Sequence, residues 1–237
     1  MCAVIGAVIK NPTSLDFTKL EAVFHESKIR GMHATGIAYV KNNKVHIDKR
    51  PVPANEFPFS FPEYVNEDGN LYLIGHCRYS TSDLEFNQPI GNTDYAIAHN
   101  GVITQEPPEK WKELYGADCM TKNDSELVLH SDNPLVDYSH MSMGVAEIKS
   151  DKRVRFYRNG KRPLYLTSLS NGYIVTSTAD IPKRAGLYFP TVEVPMNIYM
   201  ILEGDLSVHL DAVTVLTNQK DYQHYAKTNG LHPNTKA

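Results

Sequence analysis

Met1-Cys2-Ala3-Val4-Ile5-Gly6-Ala7-Val8-Ile9 opens the chain, and its reading decides the rest. The uncharged run from Cys2 to Ile9, rich in Val and Ile, is the pattern of a buried strand. It places a thiol one step inside the initiator methionine. If Met1 is removed, Cys2 carries a free α-amine beside its thiol. An α-amine titrates near ~7.7–8.0, so one residue then holds both a nucleophile and a base. By default a Cys at this position in an apolar strand is a small buried hydrophobe. Residues further along reverse that default.

Working outward, Asn11-Pro12-Thr13-Ser14 is turn chemistry. Leu15 to Ile29 places Phe17, Leu20, Val23, Phe24 and Ile29 at helical spacing, and Arg30-Gly31 ends the helix. Ala34 to Val40 and Lys44 to Asp48 read as strands joined by Asn42-Asn43, a two-residue hairpin turn. Pro51 to Asn70 is rich in Pro and Phe without a period, the mark of an irregular surface loop packed by its aromatics. Leu71 to Cys77 and Tyr95 to His99 are further buried strands. Short helices are expected over Glu109 to Tyr115, begun by Pro107-Pro108, and over Asp124 to His130.

The second half reads as a meander. Strands are expected at Met143 to Lys149, Arg153 to Tyr157, Leu164 to Leu169 and Tyr173 to Ser177, with hairpin turns at Asn159-Gly160 and Asn171-Gly172. A short helix over Ala179 to Ala185 precedes strands at Asn197 to Leu202 and Leu206 to Leu210, turned by Glu203-Gly204-Asp205. This balance of strands and helices points to two packed sheets with a few outer helices. We expect one domain over residues 1–216 and a polar, poorly ordered tail over 217–237.

Composition narrows the function classes. The chain has 237 residues, a formal net charge of −3 and spread rather than blocked charges, which argues against a nucleic-acid partner or an acidic membrane surface. No apolar run is long enough to span a bilayer, and no basic region precedes the first apolar stretch as in a signal peptide. The three cysteines Cys2, Cys77 and Cys119 match neither a disulfide framework nor a zinc spacing. A reducing, cytoplasmic setting is expected, with no metal and no cofactor. His25, His46, His76 and His99 show no metal spacing. Cys77 is expected to be buried and inert, and Trp111 and Tyr115 to face a core.

Three polar clusters sit at strand ends. They are Gly75-His76-Cys77-Arg78-Tyr79-Ser80-Thr81 followed by Asn87-Gln88-Pro89, then His99-Asn100-Gly101, then Asn123-Asp124-Ser125-Glu126. Arg78 is either a solvated strand terminus or a fork for a carboxylate. Asn100-Gly101 is either a turn or a pair of N–H donors aimed at one oxygen, an oxyanion hole. Asp124 is either a helix cap or the holder of an ammonium group. A thiol with its own base, an oxyanion hole, an Arg and an Asp together suit an amino acid with a side-chain amide. Glutamine or another γ-glutamyl amide fits. Asparagine is one methylene too short to reach the thiol with both α-groups held.

These motifs resemble those of class II glutamine amidotransferase domains, which are N-terminal-nucleophile hydrolases. Cys2 to Gly6, Arg30-Gly31 with Thr35-Gly36-Ile37-Ala38, and the three clusters occur in the family's order and rough spacing. Fainter likeness runs through Arg158-Asn159-Gly160-Lys161-Arg162-Pro163-Leu164, Ser177-Thr178-Ala179-Asp180 and Leu202-Glu203-Gly204-Asp205. The glutaminase halves of amidophosphoribosyltransferase and glucosamine-6-phosphate synthase are similar over roughly residues 2 to 210.

The resemblance implies an α+β fold, the four-layered αββα sandwich with two mostly antiparallel sheets between helices. It implies Cys2 as catalytic nucleophile, Asn100 and Gly101 as oxyanion hole, and Arg78, Thr81 and Asp124 as glutamine ligands. Tyr79 and Ser80 would shape the loop, and Arg30 would support the nucleophile. The chain departs from the family at His33-Ala34-Thr35, at Ser82-Asp83 and in a shortened stretch between Asp124 and Gly144, where an outer helix is expected to be wholly or partly missing. The expected activity is glutamine hydrolysis to glutamate and ammonia, with the ammonia taken by a separate synthetase subunit. The alternatives are a free-standing hydrolase of another γ-glutamyl amide and a non-catalytic glutamine-binding module.

Overall fold

The computed structural model describes residues 2–79 and 86–213. The expected tail, and Ser80 and Thr81 of the candidate site, lie outside the described residues. Strand β1 (Ala3–Lys10) is central to a seven-stranded sheet. It pairs antiparallel with β4 (Asn70–Arg78) and β10 (Gly172–Thr176). Outward from β4 come β2 (Ala34–Lys41) and β3 (Lys44–Arg50); outward from β10 come β9 (Tyr165–Ser168) and β11 (Thr191–Glu193). The second sheet has six strands in the order β13 (Val208–Ala212), β12 (Ile198–Leu202), β8 (Val154–Arg158), β7 (Ser142–Lys149), β6 (Tyr95–Val102) and β5 (Ile90–Gly91). Every pairing in both sheets is antiparallel.

The apolar run of β1 is continuous because both of its faces are covered. Val4 and Val8 join Tyr72 and Ile74 of β4 in the core between the sheets, against Ala96, Ala98, Ala146 and Phe156 of the second sheet. At Gly6 a Cβ would lie 2.2 Å from the Phe156 ring, so the sheets meet this closely only over a glycine. The alternate residues Ala3, Ile5, Ala7 and Ile9 face outward beneath helix α1 (Ser14–Ser27), which buries Leu20, Val23 and Phe24 on them. Thr13 and Asp16 close a reciprocal capping box at the start of α1. Its buried stripe stops short of Ile29, which is 60% exposed.

The stretch from Pro51 to Asn70 is more structured than an irregular surface loop. It holds a 3₁₀ turn (Ala54–Glu56) and helix α2 (Phe61–Tyr64), and Phe57, Phe61 and Tyr64 are buried in the core under α1. Asn42 and Asn43 both have φ of +53°, the left-handed pair that a tight β2–β3 hairpin requires. Asn171-Gly172 likewise turns β9 into β10.

Two expectations of the second half are corrected. Asn159-Gly160 is not a hairpin turn, because β8 pairs with β7 and β12 and the chain then crosses to the other sheet at β9. Asn159 holds that corner: its Oδ1 accepts from the Met143 and Lys161 amides, and its Nδ2 donates to the Met141 carbonyl. Nor is this half a simple meander, since its strands are shared between both sheets. The outer face of the second sheet is covered by helix α3 (Trp111–Tyr115), a seven-residue 3₁₀ segment (Asp124–His130) and helix α4 (Pro134–Asp137). Helix α5 (Asp180–Arg184) lies against α1. Among the described residues no helix is long and apolar enough to cross a membrane.

Candidate active site

Alternation along the strands brings the site together. In β4, Tyr72 and Ile74 face the inter-sheet core, so Arg78 at its end lies on that same side. In β6, Ala96 and Ala98 face it, so Asn100 does too. Cys2 immediately precedes β1 on the side of Val4. These strand ends border a cleft of about 480 Å³ lined by Cys2, Arg78, Tyr79, Gly101, Asp124 and Trp111, among others. The apolar core floors the space between the sheets, and the polar strand ends stand at its open edge.

Cys2 is half-buried, and its carbonyl oxygen accepts from Arg30 Nε at 3.0 Å. Burial lowers the pKa of Arg30, with nearby Cys2 opposing the shift. Burial lowers that of Arg78 too, again against the influence of Cys2. Arg78 Nη1 donates to Asn87 Oδ1 at 2.7 Å, and the guanidinium lies 5.6 Å from the centre of the Phe86 ring. Tyr79 is largely exposed and packs its ring 5.0 Å from that of His33.

Asn100 is buried, and its Nδ2 has no hydrogen-bond partner among the described residues. Leaving such a donor unmade costs about 1–3 kcal/mol. At Gly101 a Cβ would sit 1.8 Å from the Ser142 carbonyl oxygen, so no side chain fits beside β7 there. Asn100-Gly101 is therefore not a turn. It lies within β6, paired with Gly144 and Met143.

Asp124 is not the helix cap. Asn123 takes that role, its side chain accepting from the Ser125 amide. Asp124 Oδ2 instead accepts from the amides of Ile103 at 2.6 Å and Thr104 at 3.1 Å, which ties the carboxylate to the chain just beyond Gly101. Thus the described candidates Cys2, Arg30, Arg78, Tyr79, Asn100, Gly101 and Asp124 meet at one end of the sandwich.

The other two cysteines have raised thiol pKa values. Burial pushes Cys77 up to about 12. Burial and the nearby Glu126 push Cys119 up to about 12. Cys119, Glu126 and His130 bring ligand atoms within 4.8 Å of one another, yet the Glu126 carboxylate already accepts from Met120 N, Thr121 N and Thr121 Oγ1. Trp111 is buried with its Nε1 donating to the Glu106 carbonyl, and Tyr115 donates to Thr104 Oγ1. Gln88, His99 and Ser125 fall within the strand-end motifs, where the sequence assigns them no role. They form a buried ring of hydrogen bonds in the wall of the cleft, and nothing local in the sequence marks it.

No family model matches the sequence, and no curated protein matches it. Among solved structures, the glutamine phosphoribosylpyrophosphate amidotransferase of B. subtilis, complexed with ADP and GMP, superposes with a TM-score of 0.69 at 20% identity. The match covers 92% of this chain and 50% of that one. A structure described as the allosteric regulatory enzyme of purine biosynthesis superposes with a TM-score of 0.66 at 19% identity, over 90% of this chain and 50% of that one. The chain thus spans about half the length of these structures. It shares the fold of these structures, an α+β sandwich of two antiparallel sheets.

Proposed function

We propose that this chain is a class II glutamine amidotransferase domain that hydrolyses the side-chain amide of glutamine through a thioester on Cys2. One observation carries the reading: Cys2, Gly101, Arg78 and Asp124 line a single cleft, beside a buried Asn100 NH₂ that no described residue satisfies. With Met1 removed, the Cys2 amine accepts the thiol proton, and the sulfur attacks the amide carbon. Asn100 Nδ2 and the Gly101 N–H receive the negative charge that grows on the amide oxygen. The carbon–nitrogen bond breaks, and the ammonium hydrogen returns to the departing nitrogen as ammonia. Water then adds to the thioester under the same base, releasing glutamate and restoring the thiol.

Arg78 pairs with the substrate α-carboxylate, and Asp124 with its α-ammonium. Thr81 is a further glutamine ligand in this reading, with Tyr79 and Ser80 as its substrate-binding neighbours. Arg30 fixes the Cys2 backbone and does not react. The ammonia passes to a separate synthetase subunit in the cytoplasm. No cofactor, metal, nucleic acid or membrane enters the scheme. Release of glutamate and ammonia from glutamine by the purified chain is the test. Activity is expected in the parent and lost in Cys2→Ala. A parent without glutaminase activity, or a Cys2→Ala variant as active as the parent, would overturn the proposal. Pull-down of a synthetase whose acceptor stimulates the glutaminase would identify the partner.

A further inference from the structure

The two halves of the cleft are joined by a closed ring of hydrogen bonds. Gln88, His99 and Ser125 are buried, at 6%, 1% and 2% exposure. Ser125 Oγ lies 2.8 Å from His99 Nδ1, and Gln88 Nε2 donates to that same Oγ at 3.1 Å. The His99 amide donates to Gln88 Oε1 at 2.6 Å. His99 Nε2 lies 3.1 Å from the Ser142 carbonyl.

The partners fix where every proton sits. A carbonyl oxygen only accepts, so His99 Nε2 carries the hydrogen. With the ring neutral, Nδ1 is bare and accepts from the Ser125 hydroxyl, whose oxygen accepts from Gln88. Gln88 completes the ring by accepting from the His99 amide. All four bonds then have a donor and an acceptor in the right places. A charged imidazolium would instead donate to Ser125 Oγ, leaving the hydroxyl proton with no acceptor in the ring.

His99 directly precedes Asn100-Gly101, and Ser125 directly follows Asp124. Asp124 is itself held by the Ile103 and Thr104 amides just past Gly101. The candidate oxyanion donors are therefore tied to the candidate ammonium holder on both sides. We infer that Gln88, Ser125 and His99 form a proton-ordered clamp in which Ser125 is a positioning residue, setting Asn100 and Gly101 relative to Asp124. Asp124 keeps its own backbone donors without Ser125, so loosening the clamp disturbs the oxyanion donors more than substrate binding. The catalytic consequence rests on the glutaminase reading; the proton order does not.

The test has two arms. Nitrogen-15 NMR of the imidazole rings reads the tautomer of His99 in the full chain, whatever its activity. The neutral Nε2–H form is expected at pH 7, and an Nδ1–H form or a charged ring at that pH would overturn the clamp. The charged and titratable groups facing His99 are Asp124, which favours protonation, and His76 and Arg162, which oppose it. In Ser125→Ala, Nδ1 loses its donor, so His99 should protonate at higher pH than in the parent. For glutamine turnover, Ser125→Ala should lower kcat roughly tenfold to a hundredfold with KM little changed. Ser125→Thr, which keeps the hydroxyl, should restore it. Unchanged kcat in Ser125→Ala, or equal losses in Ser125→Ala and Ser125→Thr, would remove Ser125 from the positioning role. An inactive parent with the expected tautomer would sink the glutaminase reading and leave the clamp.

Discussion

At the scale of the residue, Asn100 is one of several buried polar side chains left without a hydrogen-bond partner among the described residues, and it is the one beside Gly101 at the cleft. Its NH₂ is withdrawn from water and given no acceptor, a cost that a transition-state oxyanion would offset. Replacing it should therefore hurt chemistry and spare the fold. We predict that Asn100→Ala lowers kcat by about 10²–10³, or ~2.7–4 kcal/mol in the barrier, while its melting temperature stays near or above the parent's. Turnover near the parent's rate would show that the donor lies elsewhere. His76 makes a different prediction. Burial, with nearby Arg78 adding to it, holds this ring down to about 3, below its ordinary 6.5. The unfolded chain takes up a proton near pH 6.5 that the folded chain refuses, so the stabilisation is intact above that pH and is lost as pH falls toward 3. The slope is about 1.4 kcal/mol per pH unit from this group between ~6 and ~4. Urea unfolding of the parent and of His76→Asn across that window should differ by this slope; parallel curves would contradict it.

At the scale of the element, what was legible in the sequence is what short-range chemistry decides. The apolar run of β1, the spacing of Leu20, Val23 and Phe24 in α1 and the paired Asn42-Asn43 turn each carry their own cause. Asn159-Gly160 looks like the same kind of turn, but the strand that follows it joins the other sheet. Partner choice depends on residues far along the chain, so the dipeptide alone does not decide it. The buried ring of Gln88, His99 and Ser125 was hidden for the same reason, its members being separated by up to 37 residues. So was Glu147. This fully buried carboxylate on β7 accepts from the Tyr95 and Tyr157 hydroxyls at 2.6 Å each and pairs with Arg155 on β8. Removing one partner of a buried pair strands the other. Glu147→Ala should therefore destabilise the chain by about 3 kcal/mol, measured by denaturant unfolding. A loss under ~1 kcal/mol would mean that the charges are solvated rather than joined across the sheet.

At the scale of the whole molecule, two sheets close over one apolar core and leave their polar strand ends at a common rim. That arrangement makes the strand-end clusters readable as a site from sequence: the core demands apolar residues along each strand, so polar clusters fall where strands stop. The segments Asp124–His130 and Pro134–Asp137 that cover the second sheet are separated at Asn133-Pro134, where the proline opens the second of them. The account depends on Cys2 presenting its sulfur and an unblocked amine to the cleft. The most direct measurement is mass spectrometry of the purified chain before and after reaction with 6-diazo-5-oxonorleucine, an electrophilic analogue of glutamine. We predict an N-terminus that begins at Cys2 and a single adduct located on that residue. Retention of Met1, or an adduct on Cys119 with Cys2 unmodified, would contradict it.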